Sequence, residues 1–191
     1  MKRAPKQDEG VGRGLLLFLV FYLSGFVFRS VLEHFRLQQF EMPLLETGFY
    51  DVLFVPLAYM FSDRLFCLEY WEIRSNWWIG VVVCVAIQIP ISYSFRTLPR
   101  PPVAVMVGSV LVAPFVEELI RAAMMRPLIA RYGDVWAIAL TGFLWACIHE
   151  HFWIALVQQC ALSAVFIYSR KSLPSAIAAH VVMNLAAVTL W

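Results

Sequence analysis

Long apolar runs alternate with short polar interruptions along the chain. Seven runs stand out, at 14–32, 45–61, 76–95, 103–130, 134–149, 153–169 and 174–191. They are too long and too uniformly apolar for the strands of a membrane barrel. The pattern predicts an all-α fold, a polytopic transmembrane helical bundle with about seven membrane segments. Several runs fall short of the ~20 residues that a perpendicular span needs, so tilt or local thinning of the bilayer is expected. The interruptions are punctuated by helix-stopping residues. Pro99, Pro101 and Pro102 halt the chain before the fourth run, and "RYGD" and "SRKSLP" read as turns through Gly133 and Pro174. No internal repeat, low-complexity tract or soluble domain interrupts the series.

The basic start "MKRAPKQDEGVGRG" followed by "LLLFLVFYLSGFVF" resembles the first two regions of a signal peptide. No small-x-small cleavage site follows, so the stretch reads as an uncleaved first transmembrane helix behind a tail at 1–13. Lys2, Arg3, Lys6, Arg13, Arg64, Arg74, Arg126, Arg131, Arg170 and Lys171 fall on one side of the alternating segments. The excess of positive charge there puts the N-terminus in the cytoplasm. Trp77, Trp78, Trp136, Trp153 and Trp191 lie near segment ends, as interfacial aromatics do.

Composition strengthens this picture. Only 15% of the residues are charged and 61% are hydrophobic, against about 25% charged in a soluble domain. The formal net charge of +2 gives no basis for a nucleic-acid partner; the expected surroundings are a lipid bilayer. Cys67, Cys84, Cys147 and Cys160 show no CxxC spacing and lie in or beside apolar runs. They read as small buried hydrophobes rather than as a disulfide framework or zinc knuckle.

Ionisable groups inside membrane segments are costly and mark function. Four places in the second half carry them: Glu117, Glu118 and Arg121; His149, Glu150 and His151; His180; and Asn184. If the fourth run continues as a helix to about 130, Glu117 lies ~20 Å from the turn at "RYGD", and His149 lies ~22 Å from it on the returning helix. The two then share a depth. His180 and Asn184 enter the last run ~9–15 Å deep, somewhat shallower. Glu117–Arg121 is an i,i+4 pair and Glu118–Arg121 an i,i+3 pair, so one arginine reaches either acid. His180 and Asn184 share a face, as do Trp145 and His149. A carboxylate in such a site can act as general base toward water. A histidine at matched depth can orient that water, and a second histidine with an amide can donate to an oxyanion.

These residues resemble the CPBP family, the CAAX prenyl endopeptidases of the Ras-converting type and their bacterial relatives. The family pattern is a Glu-Glu pair followed by Arg, then an aromatic-x-x-x-His, then His-x-x-x-Asn/Asp, on successive membrane helices. Here these are "EELIR" (117–121), "WACIH" (145–149) and "HVVMN" (180–184). The resemblance covers roughly 100–191 and implies a single membrane domain over 14–191, with accessory helices at 14–99 and a catalytic core at 100–191. It implies an intramembrane endopeptidase needing no cofactor. Glu117 would activate water with His149 as partner, and His180 and Asn184 would stabilise the oxyanion. Glu118, Arg121 and Trp145 would support them. The substrate would be a membrane-anchored or lipidated peptide or protein. A chain of this length without a soluble domain suits a bacterial member in the inner membrane. Two positions depart from the pattern: the family usually has Arg five places after the first Glu, where this chain has Ala122, and Trp145 stands for the usual Phe.

The alternatives differ in class. Zinc held by Glu117, His149 and His180 would give a metalloprotease, although "HEHF" does not supply the HExxH arrangement. Outside enzymology, the charged groups could form a buried ion pair in a non-catalytic scaffold, with His180 and Asn184 as interhelical hydrogen-bonding groups. They could also relay protons in a small transporter. No GxSxG motif and no paired intramembrane aspartates occur. His34 reads as a solvated loop residue, Glu150 and His151 as a short outer turn, and Asp51 and Gln88 as packing or lining polar groups.

Overall fold

The structure is a computed structural model that describes residues 7–34, 54–59, 70–95, 103–149 and 151–190. Helix α1 (Gln7–His34) is followed by a helical turn at 54–59, α2 (Trp77–Phe95) and α3 (Val103–Val107). A π-helical stretch, Gly108–Val112, leads directly into α4 (Ala113–Tyr132). Helices α5 (Asp134–Ala146), α6 (Phe152–Tyr168) and α7 (Leu173–Leu190) complete the order. Among the described residues no strand occurs. Gly10–Phe28, Trp77–Ser94 and Leu173–Leu190 are long and apolar enough to cross a membrane, and Asp134–Ala146 and Phe152–Tyr168 are shorter apolar helices.

The turns follow from local chemistry. Gly133 has φ 79°, a conformation that favours glycine, and its N–H closes α4 on the Ile129 carbonyl at 3.0 Å. Its own carbonyl then accepts from Ala137 at 3.1 Å, so one residue ends α4 and starts α5. Arg170 and Lys171 adopt φ 57° and 63° between α6 and α7. The Lys171 N–H bonds the Phe166 carbonyl at 2.8 Å, which satisfies the end of α6 despite the unfavourable backbone. The fifth run was expected to be helical to 149, but α5 ends at Ala146. Ile148 and His149 donate instead to the Trp145 and Ala146 carbonyls at 3.3 and 3.1 Å, a tighter final turn that satisfies carbonyls left over at the helix end.

Helix α4 is the centre of the bundle and touches α1, α5, α6 and α7. Leu119, Ile120, Met124 and Met125 of α4 are buried with Leu17, Phe18 and Phe21 of α1, Phe54, Trp145 and Phe166. Phe18 and Phe21 set their rings 5.4 and 5.6 Å from Trp145. Small residues bring backbones close, as membrane helices require when the lipid is as apolar as the side chains. A Cβ on Gly14 would lie 3.0 Å from the Met124 Cα and 3.1 Å from the Ala123 carbonyl oxygen, and one on Gly142 would run into the Cys160 sulfur. Helix α2 packs most extensively along α7, and also against α6. The outward faces stay apolar: Phe26, Val82 and Phe143 are exposed, as are Trp77, Trp78, Trp136 and Trp153 near the starts of their helices.

The polar residues expected to lie outside the site divide. His34 is exposed, although as the last residue of α1 rather than in a loop, and His151 is the exposed N-cap of α6. Gln88 is buried, donating to Ser92 at 2.9 Å and accepting from Gln158 at 2.6 Å. The cysteines divide. Cys84 is buried and Cys160 half-buried, but Cys147 is exposed because it follows the end of α5. Cys67, Asp51, Glu150, Trp191 and the prolines at 99, 101 and 102 lie outside the described residues.

Candidate active site

The site begins with a proline. Pro114 stands in the first turn of α4, and it has no N–H to give to an earlier carbonyl. Immediately before it the helix widens into the π-helical stretch, and the Ala113 N–H reaches back five residues to the Gly108 carbonyl. One turn further on, α4 presents Glu117, Glu118 and Arg121.

The two acids have different surroundings. Successive helix positions point about 100° apart, so one faces inward while its neighbour does not. Glu118 is fully buried. Its carboxylate accepts from Arg121 Nε at 3.0 and 3.1 Å and from His180 Nδ1 at 2.8 Å. Glu117 keeps 21% of its side chain exposed and lies 3.9 Å from His180 Nε2. His180 therefore bridges the pair through its two ring nitrogens. A carboxylate only accepts, so Nδ1 carries a proton and Nε2 is the atom turned toward Glu117.

Arg121 is also fully buried. Beyond Glu118, its guanidinium donates to the Gln159 side-chain oxygen, to the Ser163 hydroxyl at 3.4 Å and to the Gln159 carbonyl at 3.5 Å, both residues lying on α6. Its carbon centre stands 5.1 Å from the Trp145 ring centroid, a cation–π distance. A buried charge is tolerated only when its donors are used and a counter-charge is near, and Arg121 has both. The expected choice between the two acids is thus resolved in favour of Glu118.

His180 and Asn184, one turn apart on α7, both reach α4 or the stretch leading into it. Asn184 Nδ2 donates to the Ser109 carbonyl at 2.7 Å. The shallower position expected for this pair does not separate it from the acids, because α7 packs on both α4 and the π-helical stretch. His149 is placed differently. It sits in the turn beyond α5, is exposed, and its Nδ1 bonds the Trp145 carbonyl at 2.7 Å. That carbonyl only accepts, so Nδ1 carries a proton and the contact leaves Nε2 unused. No hydrogen bond or ion pair joins His149 to Glu117. Packing of α5 on α4 is the link between them.

The zinc alternative needs Glu117, His149 and His180 to converge. Among the described residues no group of three or more His, Cys, Asp or Glu side chains is arranged to hold a metal ion, and the Nδ1 of His149 is engaged with the Trp145 carbonyl near the end of α5.

Residues 99–186 match the family model described as type II CAAX prenyl endopeptidase, Rce1-like. That stretch is similar to the CAAX proteases. It contains α3 to α6, most of α7 and every residue of the site above. No curated protein and no solved structure matches the chain. The match and the three helices long and apolar enough to cross a membrane both support an integral membrane protein. In this CAAX-protease-like stretch, the sequence motifs had not pointed to Gln159, Ser163, Ser109 or Pro114. Gln159 and Ser163 carried a readable signal, two polar residues at i,i+4 spacing in a helix that is apolar apart from them and Gln158. The roles of Ser109 and Pro114 depend on main-chain geometry and left no signal of that kind.

Proposed function

We propose that this protein is an intramembrane endopeptidase that hydrolyses a peptide bond of a lipidated, membrane-anchored substrate with water activated by Glu117. The observation that carries the reading is the division between the acids. Glu118 is sealed and fully bonded, whereas Glu117 is partly exposed beside His180. Only Glu117 can meet both water and substrate. As general base it would take a proton from water, and the resulting hydroxide would attack the scissile carbonyl. When Nε2 of His180 carries a proton it can donate to the developing oxyanion, and Asn184 offers its second amide N–H. His149, with Nε2 as acceptor, is suited to orienting the water. Glu118 would hold the His180 ring through Nδ1, and Arg121 with Trp145 would hold Glu118. No cofactor is required by this scheme.

Contact of Arg121 with Glu118 means that the one-residue offset in the motif does not break the cluster; a non-catalytic scaffold would share that pair, and the partly exposed Glu117 beside His180 is what favours catalysis. We propose that the N-terminus lies in the cytoplasm, on the charge distribution above, and that the membrane is a bacterial plasma membrane. The functional test is cleavage of a prenylated CAAX peptide by protein reconstituted in liposomes. Glu117→Gln should lower kcat by about 10²-fold or more while the protein keeps its thermal stability; wild-type turnover in that variant would sink the proposal. Exhaustive chelation should leave activity intact, and loss of activity restored by zinc would favour the metal alternative.

A further inference from the structure

The widened turn before α4 has a further consequence, which rests on the catalytic reading of Asn184. In an α-helix the Ser109 carbonyl would accept from the N–H of residue 113, and in a π-helix from that of residue 114. Neither partner exists here. The Ala113 N–H goes to the Gly108 carbonyl, and residue 114 is proline, which has no N–H. A main-chain acceptor is thus left open about two turns ahead of the two glutamates. Asn184 Nδ2 fills it at 2.7 Å. That bond crosses from α7 to the π-helical stretch and fixes the amide plane, so the remaining N–H and the Oδ1 have one orientation.

We propose that Pro114 and the Ser109 carbonyl are positioning elements for Asn184: the proline withholds the helical donor, and the carbonyl it leaves open anchors the amide. The contact reflects more than two polar groups meeting in an apolar setting, because the open carbonyl arises from the sequence at a single position. Any other residue at 114 carries an N–H that can close the turn on Ser109 and release Asn184.

The test replaces Pro114 by Ala, and by Val to keep buried volume, with Asn184→Ala in both backgrounds. Each proline variant should lower kcat about tenfold to a hundredfold, the range expected for a misplaced catalytic group, with KM changed less than about twofold. In the Asn184→Ala background the same substitutions should change kcat by less than about twofold, since the group they misplace is gone. An undiminished effect in that background, or wild-type kcat in both proline variants, would overturn the proposal. Thermal unfolding in detergent reads the anchor without catalysis. Asn184→Ala should lower the midpoint less when Pro114 is replaced than when it is present, and equal shifts would overturn the anchor. If Glu117→Gln retains full turnover, the functional reading fails, and the unfolding cycle still decides whether Pro114 opens the Ser109 carbonyl for Asn184.

Discussion

Arg121 shows what a single side chain can impose on a membrane interior. Its Nε serves Glu118, its terminal nitrogens serve α6, and its flat face lies over Trp145. Each partner comes from a different helix, so one cation fixes three elements. Arg121→Met would leave the Glu118 carboxylate buried with only His180 for support. Breaking a buried pair from one side costs about 3–5 kcal/mol, and the expected outcome is a lower unfolding midpoint in detergent together with loss of cleavage. A midpoint equal to wild type would show that the pair is not what holds the centre. The identities of Glu117, Glu118, Arg121, His180 and Asn184 were legible in the sequence because ionisable and amide groups are rare in apolar runs. Their division of labour was not. Adjacent acids on one helix look alike until the packing decides which is sealed, and the partner of Arg121 was open between i,i+3 and i,i+4.

At the level of helices, the apolar runs forecast the described elements to within a few residues, except where α1 starts early and α5 stops at Ala146. Run length and turn residues carry that information directly. They do not carry helix-to-helix distance, which depends on what a residue lacks. Gly14 lets α1 settle on the α4 backbone beside Met124, and nothing in the pattern of a first transmembrane segment marks that glycine. Gly14→Val should push α1 away from α4 at a cost of about 1–3 kcal/mol. The expected readout is a lower unfolding midpoint with helix content preserved by circular dichroism. No change in midpoint would mean that α1 can shift freely over α4. The π-helical stretch was equally unreadable, because a proline after an apolar run predicts a break and does not say how the preceding carbonyls are satisfied.

For the whole molecule, the placement of the turns relative to the membrane gives the orientation a direct check. The turn beyond α5 carries the exposed Cys147, and the turn between α6 and α7 carries Arg170 and Lys171 at the opposite end of α6. With the N-terminus in the cytoplasm, Cys147 should react with a membrane-impermeant maleimide in intact cells of a variant lacking the other cysteines. In that same background without Cys147, Lys171→Cys should react only after permeabilisation. The reverse pattern would invert the topology and leave the site geometry untouched.

Helix α2 lies outside the stretch that matches the CAAX proteases, yet it packs along α7, and the chain around it is tied to the far end of the sequence. Asn76 donates to the Tyr168 carbonyl at 3.1 Å, and Ser172 to the Glu72 carbonyl at 2.6 Å. A ribosome delivers these partners far apart in time. Between the insertion of α2 and the arrival of α7, the buried face of α2, with Gln88 and Ser92 on it, has lipid or passing helices for company. Polar side chains in hydrocarbon hold a helix to whatever partner offers a hydrogen bond. The main packing partner of α2 therefore arrives only when the final described helix enters, and His180 of the candidate site arrives on that same helix.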